Sequence, residues 1–269
     1  MTYQHLLIEK NGPIATLWLN RPDKLNALSA DMWEDIPRAV RALEGDTEIR
    51  VIVVAGKGDA FTVGIDVGML ASLAPDARSQ AAANKVLYGK IRELQHTVSV
   101  FAESDTPVVA AIHGYCLGAG MDLATACDIR LCSSDAVFSI RETRMGLVAD
   151  VGTLQRLPGI IGSGQVAELA FTGADIGATR ANEIGLVNRV EPDAGSLMES
   201  AMDLAQRMAD NSPLVLGGVK RVLQANRGRT VEEALDFVAH WNSAYLLSND
   251  LFEATAAFAE KRKPEFSGE

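Results

Sequence analysis

This 269-residue chain is short of several things, and each shortage narrows what it can be. Basic charge is scarce: 25 Lys and Arg stand against 35 Asp and Glu, a formal net charge of −10. With no long basic run to offset that balance, nucleic acid is excluded as the main partner. Cysteine is nearly absent, at three residues (Cys116, Cys127, Cys132) without metal-type spacing. Each is expected to be a buried thiol, no metal is expected, and a cytoplasmic setting suits the count. Long apolar runs are missing too. None approaches the ~20 residues that span a bilayer, so no membrane role is expected. The stretch MTYQHLLIEKNG has neither a signal peptide's apolar core nor a transit peptide's Arg/Ser bias, and EFSGE is no peroxisomal or retention signal. Ser-His-Asp patterns, phosphate loops and nucleotide fingerprints are also lacking. Gly118-Ala119-Gly120 has no later glycine and no downstream acid to complete one. His5, His96 and His240 have no cluster around them, and His113 suits a backbone-holding role as well as an active one.

What is present describes a globular α/β protein. Hydrophobic residues at 48% with 22% charged are enough for a sizeable core in one large domain, with or without an appendage. Residues 4–10 and 14–20 read as strands around the hairpin signal Asn11-Gly12-Pro13. Ser29 is placed to cap a helix whose inward stripe is Met32, Ile36, Val40 and Leu43, and Pro37 is expected to kink it. Val51 to Ala55 is continuously apolar, the pattern of a strand buried on both faces. A helix over 80–103, strands at 108–112 and 129–132, and a helix from about Ala119 continue the alternation that marks an α/β fold. Beyond Leu157 helices dominate: 163–171, 179–184, 195–210, 213–226 and 230–260, with one short strand at 186–190. The chain is expected to divide into a core with the active site, 1–194, and a helical region, 195–269, that packs on itself or on a neighbouring subunit.

The chemistry concentrates between Ile112 and Leu157. A short apolar strand breaks into the glycine-rich turn Gly114 to Gly120, and a helix begins at once. That order leaves unpaired N–H groups at the helix start, where a developing negative charge is favoured. A second turn of the same kind, Phe61 to Asp66, also follows an apolar strand. Side by side, the two turns can offer two backbone N–H groups to one oxygen, although glycines also make ordinary tight turns. Three carboxylates, Asp122, Glu142 and Asp150, fall in this otherwise apolar region. Solvated loop acids are the commonplace alternative. Met145, Gly146, Leu147, Val148 and Ala149, however, are expected to be buried, and an acid in apolar surroundings must be paired, neutral or functional.

Three stretches then carry a resemblance. LNRPDKLNALS (19–29), FTVGID (61–66) and HGYCLGAGMDLATACDIRLCSSDAVF (113–138) resemble the enoyl-CoA hydratase/isomerase, or crotonase, superfamily. The resemblance covers essentially the whole chain. Asp122 stands where hydratases of that superfamily carry a glutamate, Glu142 matches their second glutamate, and Asp150 replaces a glycine. With GLVADVGTLQRLP (146–158) and WNSAYLLSND (241–250), the pattern is similar to the dienoyl-CoA isomerase branch. This implies a spiral of ββα units and a helical C-terminal region that forms trimers, which pair into hexamers. It implies oxyanion-hole N–H groups at Ile65 and Ala119, and substrate or CoA contacts from Thr62, Val63, Gly64, Ile65, Asp66, Gly118 and Gly120. Val63 departs from the smaller residue usual there, alanine or serine, and is large enough to narrow the pantetheine or adenine pocket.

The implied activity is isomerisation of 3,5-dienoyl-CoA to 2,4-dienoyl-CoA in fatty-acid β-oxidation, with Asp122, Glu142 and Asp150 as the acids. No separate cofactor is implied, because coenzyme A enters as part of the thioester. Two other readings stay open: an enoyl-CoA hydratase using Asp122 and Glu142, and a non-catalytic acyl-CoA-binding relative.

Overall fold

The computed structural model describes residues 3–70 and 77–269. In chain order the strands and helices are β1 (Leu6–Asn11), β2 (Ile14–Leu19), α1 (Ala30–Glu44), β3 (Val51–Gly56), α2 (Val67–Leu70), α3 (Gln80–Glu103), β4 (Val108–Ile112) and β5 (Tyr115–Leu117). Then come α4 (Ala119–Ala126), β6 (Ile129–Ser133), β7 (Val137–Ser139), α5 (Thr153–Arg156), α6 (Ser163–Thr172), β8 (Ile176–Gly177), α7 (Ala178–Glu183) and β9 (Arg189–Glu191). Four longer helices close the series: α8 (Ala194–Ala209), α9 (Pro213–Ala225), α10 (Val231–Tyr245) and α11 (Asn249–Glu260).

The hairpin β1–β2 forms as expected, with Leu6 opposite Leu19 and Asn11 opposite Ile14. β2, β3, β4, β6 and β9 then follow in parallel, giving a six-stranded sheet in the order β1-β2-β3-β4-β6-β9. β5, β7 and β8 make a second, three-stranded sheet. The chain thus passes from a long strand to a short one and back through a helix, the winding of a spiral.

The central strands are apolar throughout because both faces are covered. Ile52, Val54, Val108, Ala110 and Ile112 join the main core with α1, α3 and α4, while Val51, Val53, Ala55, Val109 and Ala111 face α8. Side chains alternate across a strand, so one continuous run supplies two cores. α8 closes the second core with Leu197, Ala201, Ala205 and Ala209. The division expected between 194 and 195 therefore falls at the start of a helix that packs on the sheet. Truncating Leu197, 1% exposed, to Ala costs ~2–5 kcal/mol by the usual cavity rule.

Three local expectations resolve differently or in more detail. α1 runs unbroken through Pro37. The carbonyl freed by the missing N–H, Trp33 O, is taken by the Thr97 hydroxyl of α3 at 2.8 Å. The helix expected over 230–260 is two helices, because Ser248 Oγ accepts from Leu251 N at 3.2 Å and starts α11 afresh. The short strand expected over 186–190 is β9, at 189–191. Among the described residues, no helix is long and apolar enough to cross a membrane.

Candidate active site

Two loops meet at the start of α4. Thr62 bridges Cys116 in parallel register: Thr62 N donates to Tyr115 O at 2.9 Å, and Leu117 N donates to Thr62 O at 3.1 Å. On the next residues Leu28 N donates to Gly64 O at 2.8 Å, and Asp66 N donates to Leu28 O at 3.0 Å. The C=O and N–H of a trans peptide point opposite ways. With Gly64 O held by Leu28, the Ile65 N–H points to the other side of its loop. The same rule applies at Gly118, whose carbonyl accepts from Met121 N at 2.7 Å inside the helix. Ala119 N–H therefore points out of the helix start, where intrahelical partners end. Among the described residues neither Ile65 N–H nor Ala119 N–H donates to a protein acceptor.

Glycine is required at this meeting point. Gly64 has φ +92°, and a Cβ there would lie 2.7 Å from Leu117 O and 3.1 Å from Ala119 N. A Cβ on Gly120 would lie 2.9 Å from Thr62 Cγ2. Gly118, at φ +54°, faces Glu142: its Cβ would sit 3.5 Å from Glu142 Oε1. The two loops and the Glu142 carboxylate thus share one small space.

The three carboxylates converge there. Asp122, in the first turn of α4 and 1% exposed, takes two hydrogen bonds on Oδ1 from Thr153, amide at 2.6 Å and hydroxyl at 2.7 Å. Its Oδ2 is buried with no partner among the described residues, and so is Glu142 Oε2. Burial pushes the Asp122 carboxyl up to about 6, against the Thr153 bonds and the Arg156 charge, and Asp150 adds to the rise. Glu142 is pushed up to about 7, by burial first and then by the negative charges of Asp122 and Asp150. Burial also raises Asp150. Buried oxygens without partners among the described residues and carboxyls poised near neutrality are features that suit proton transfer.

Some surroundings differ from expectation. Met145, Leu147 and Val148 are 52%, 39% and 73% exposed, and within 145–149 only Ala149 is buried. The turn 141–145 ends at Gly146, φ +76°, and beyond it Leu147 and Val148 line a surface hollow with Phe171. What buries Glu142 lies elsewhere. Thr62, expected to touch substrate, is fully buried. Asp66 is tied to Arg21 Nη1 at 2.6 Å and to Gly68 N at 3.0 Å, which fixes its loop.

Sequence reasoning passed over four residues that hold the site. Thr153 binds Asp122; Gln95 Nε2 donates to Asp150 O at 2.7 Å; and Arg156 Nη2 donates to Ser99 Oγ at 2.8 Å. Gly152, at φ +137°, leaves room for that guanidinium, since a Cβ would fall 1.7 Å from Arg156 Nη1. The one local signal was Gly152-Thr153 ahead of a short helix.

Residues 9–269 match the family model described as enoyl-CoA hydratase/isomerase. The chain belongs to the enoyl-CoA hydratase/isomerase family. Among members of this family, the Delta(3,5)-Delta(2,4)-dienoyl-CoA isomerase named peroxisomal from Arabidopsis thaliana is 41% identical over 266 residues, 97% of this chain and 96% of that one. The enzyme of the same name, mitochondrial, from Dictyostelium discoideum is 41% identical over 268 residues, 98% and 92% of the two chains. Among solved family structures, an enoyl-CoA hydratase from Bacillus anthracis superposes with a TM-score of 0.89 at 28% identity, covering 99% of this chain and all of that one.

Proposed function

We propose that this chain is an isomerase that converts 3,5-dienoyl-CoA to 2,4-dienoyl-CoA in fatty-acid β-oxidation. The observation that carries the reading is the third acid: the charge of Asp150 acts on Asp122 and Glu142, in a site with two backbone donors that have no partner among the described residues. Relatives about 41% identical over nearly the whole chain bear that activity in their names.

The C2 protons of a 3,5-dienoyl thioester are both α to the carbonyl and allylic. Ile65 and Ala119 N–H donate to the thioester oxygen and stabilise the dienolate that forms when one C2 proton leaves. The electron pair shifts along the chain and C6 takes up a proton, so no oxidant or reductant is needed. C2 and C6 are four bonds apart, too far for one carboxylate in a fixed position. Glu142 and Asp150 divide the work, one as base and the other as acid. Burial raises Glu142's pKa, and Asp122, held by Thr153, adds to the rise by like-charge repulsion. The 62–66 loop and Gly118 to Gly120 receive the thioester and its CoA arm, with Val63 narrowing the way in.

Coenzyme A is part of the substrate, and neither a further cofactor nor a metal enters the scheme. α9, α10 and α11 leave Val219, Leu223, Leu235, Leu246 and Phe252 more than half exposed. A patch of that extent supports assembly into a trimer or a dimer of trimers. The cytoplasm is the proposed compartment. Fractionation of cells tests it against the peroxisome and mitochondrion named for the relatives.

The hydratase reading has Asp122 and Glu142 in its favour, since each keeps a buried oxygen with no partner among the described residues, which suits holding a water. Incubation with 3,5-dienoyl-CoA and, separately, 2-enoyl-CoA decides between them. Conversion of the diene, seen as absorbance at longer wavelength, is expected. Hydration of the enoyl thioester with the diene untouched would defeat the isomerase reading. Binding without either spectral change would mark a non-catalytic relative.

A further inference from the structure

We propose that Thr62 is a positioning residue that aims both backbone donors at once, its hydroxyl fixing the Ile65 N–H and its methyl fixing the Ala119 N–H. The inference rests on the oxyanion-hole reading above and adds to it the residue that holds the hole together.

Thr62 is fully buried, so its side chain acts only through the protein around it. The hydroxyl donates to Asn26 O at 2.7 Å and accepts from Gly64 N at 3.1 Å. Gly64 is thereby held at its N–H by Thr62 and at its C=O by Leu28. Glycine at φ +92° has little stiffness of its own, and these two bonds supply it. With both ends of Gly64 fixed, the peptide that carries the Ile65 N–H has one orientation.

On its other side Thr62 is stitched to the strand that leads into α4, through Tyr115 O and Leu117 N. Its Cγ2 lies 2.9 Å from where a Cβ on Gly120 would stand, so the methyl packs directly beneath the first turn of α4. That turn carries the Ala119 N–H. Asn26 completes the frame. It is fully buried, its side-chain amide donates to Lys57 O at 2.8 Å and Ala60 O at 2.7 Å, and it takes Arg21 N on Oδ1 at 2.8 Å. One side chain therefore spans two loops whose donors must converge on a single oxygen. Mutating a backbone donor directly is impossible, and Thr62 is the place where side-chain chemistry reaches it.

Valine keeps the shape and removes the hydroxyl, leaving Gly64 N–H and Asn26 C=O buried without that partner. Serine keeps the hydroxyl and removes the methyl. Thr62→Val, Thr62→Ser and a control from the second core, Val53→Ala, are compared with wild type. The readouts are melting temperature, kcat and KM on 3,5-dienoyl-CoA, and the red shift of bound 2,4-dienoyl-CoA, which reports polarisation of its carbonyl. Thr62→Val is expected to lose roughly ten- to a hundredfold in kcat, less than the ~10²–10³ for deleting a donor outright. Its KM should stay within about threefold and the red shift should shrink; Thr62→Ser, which loses the methyl's hold on the first turn of α4, should lose less than Thr62→Val but still about three- to tenfold in kcat. Val53→Ala should melt lower with kcat and red shift intact.

A Thr62→Val protein with wild-type kcat and red shift would overturn the inference, as would a loss in Val53→Ala equal to that in Thr62→Val. If Thr62→Val does not fold, Thr62→Ser still decides: a folded serine variant with wild-type kcat and red shift overturns the claim that this one side chain aims both donors. Wild-type protein that neither isomerises the diene nor shifts its bound product removes the parent reading instead.

Discussion

Asp122 and Thr153, 31 residues apart, meet through two hydrogen bonds to one oxygen, Oδ1, at 2.6 and 2.7 Å. The other oxygen, Oδ2, is buried and has no partner among the described residues. One edge of the carboxylate is thus used to hold it, and its negative charge adds to burial in raising the Glu142 pKa. In the proposed scheme Asp122 serves as a fixed charge.

Removing half of that hold should have a signed pH dependence. The Thr153 bonds favour the charged carboxylate, so Thr153→Val should raise the Asp122 pKa above its present value of about 6. The stability lost is that of the ionised form. The melting-temperature deficit should be a few degrees at pH 8 and should shrink at pH 5, where Asp122 is protonated in both proteins. A deficit equal at both pH values would show that Thr153 contributes only packing.

Asp150 separates the isomerase from the hydratase. Asp150→Asn keeps the shape and removes the proton chemistry, so kcat on 3,5-dienoyl-CoA should fall ~10²–10⁴-fold with KM little changed. Glu142→Gln should do comparable damage. In a hydratase Glu142→Gln would still be severe, but Asp150→Asn would be nearly silent. An Asp150→Asn protein that melts like wild type and isomerises at full rate would end the assignment.

In the proposed scheme the pair Glu142 and Asp150 works while it holds one proton between its members, so the rate should fall when that proton is lost. Glu142 stands at about 7, which sets an alkaline limb in kcat/KM near that pH. Asp122→Asn removes a neighbouring negative charge and should move the limb to lower pH. A flat profile between pH 6 and 9 would contradict both statements. Stability follows the same sign. The Glu142 pKa is raised on folding, so its contribution is fully present below about 4.5 and is lost as pH rises through about 7. Glu142→Gln should therefore raise the melting temperature by roughly 2–4 °C at pH 8 and change it little at pH 4.

The two glycines at the loop junction should tolerate no side chain. Gly64→Val places a branched residue at φ +92° against Leu117 O, and Gly120→Val drives into Thr62. Either should lower kcat at least ~10²-fold, the cost of one donor misplaced. A Gly120→Val protein active near the wild-type rate would show that the donors do not matter.

The exposed face of α9 to α11 should be covered by other copies of the chain. Sedimentation at micromolar concentration is expected to give a trimer or hexamer. Leu223→Asp, at a residue 64% exposed in the single chain, should yield smaller species. A stable, fully active wild-type monomer would overturn the assembly.

What the sequence by itself determined was whatever depends on near neighbours. The unbroken apolar run of 51–55 encoded a strand covered on both faces, and β3 supplies two cores. Ser29 announced α1 and caps it through Met32 N. The glycines of the two turns and the identities of the three acids were also legible, and with them the family. Periodicity, capping and steric freedom act over a few residues, so a local pattern records them.

The tertiary structure alone decided what each polar atom faces. Pro37 leaves α1 intact because Thr97, 64 residues away from Trp33, takes the freed carbonyl. The apolar string Met145–Val148 turns outward although its composition suggested burial, and Glu142 is desolvated by other parts of the fold. Thr153 reaches Asp122 across 31 residues, and Thr62 reaches Asn26 across 36. Desolvation and hydrogen-bond pairing are set by whichever groups the fold brings within about 3 Å, and sequence spacing carries no record of that encounter.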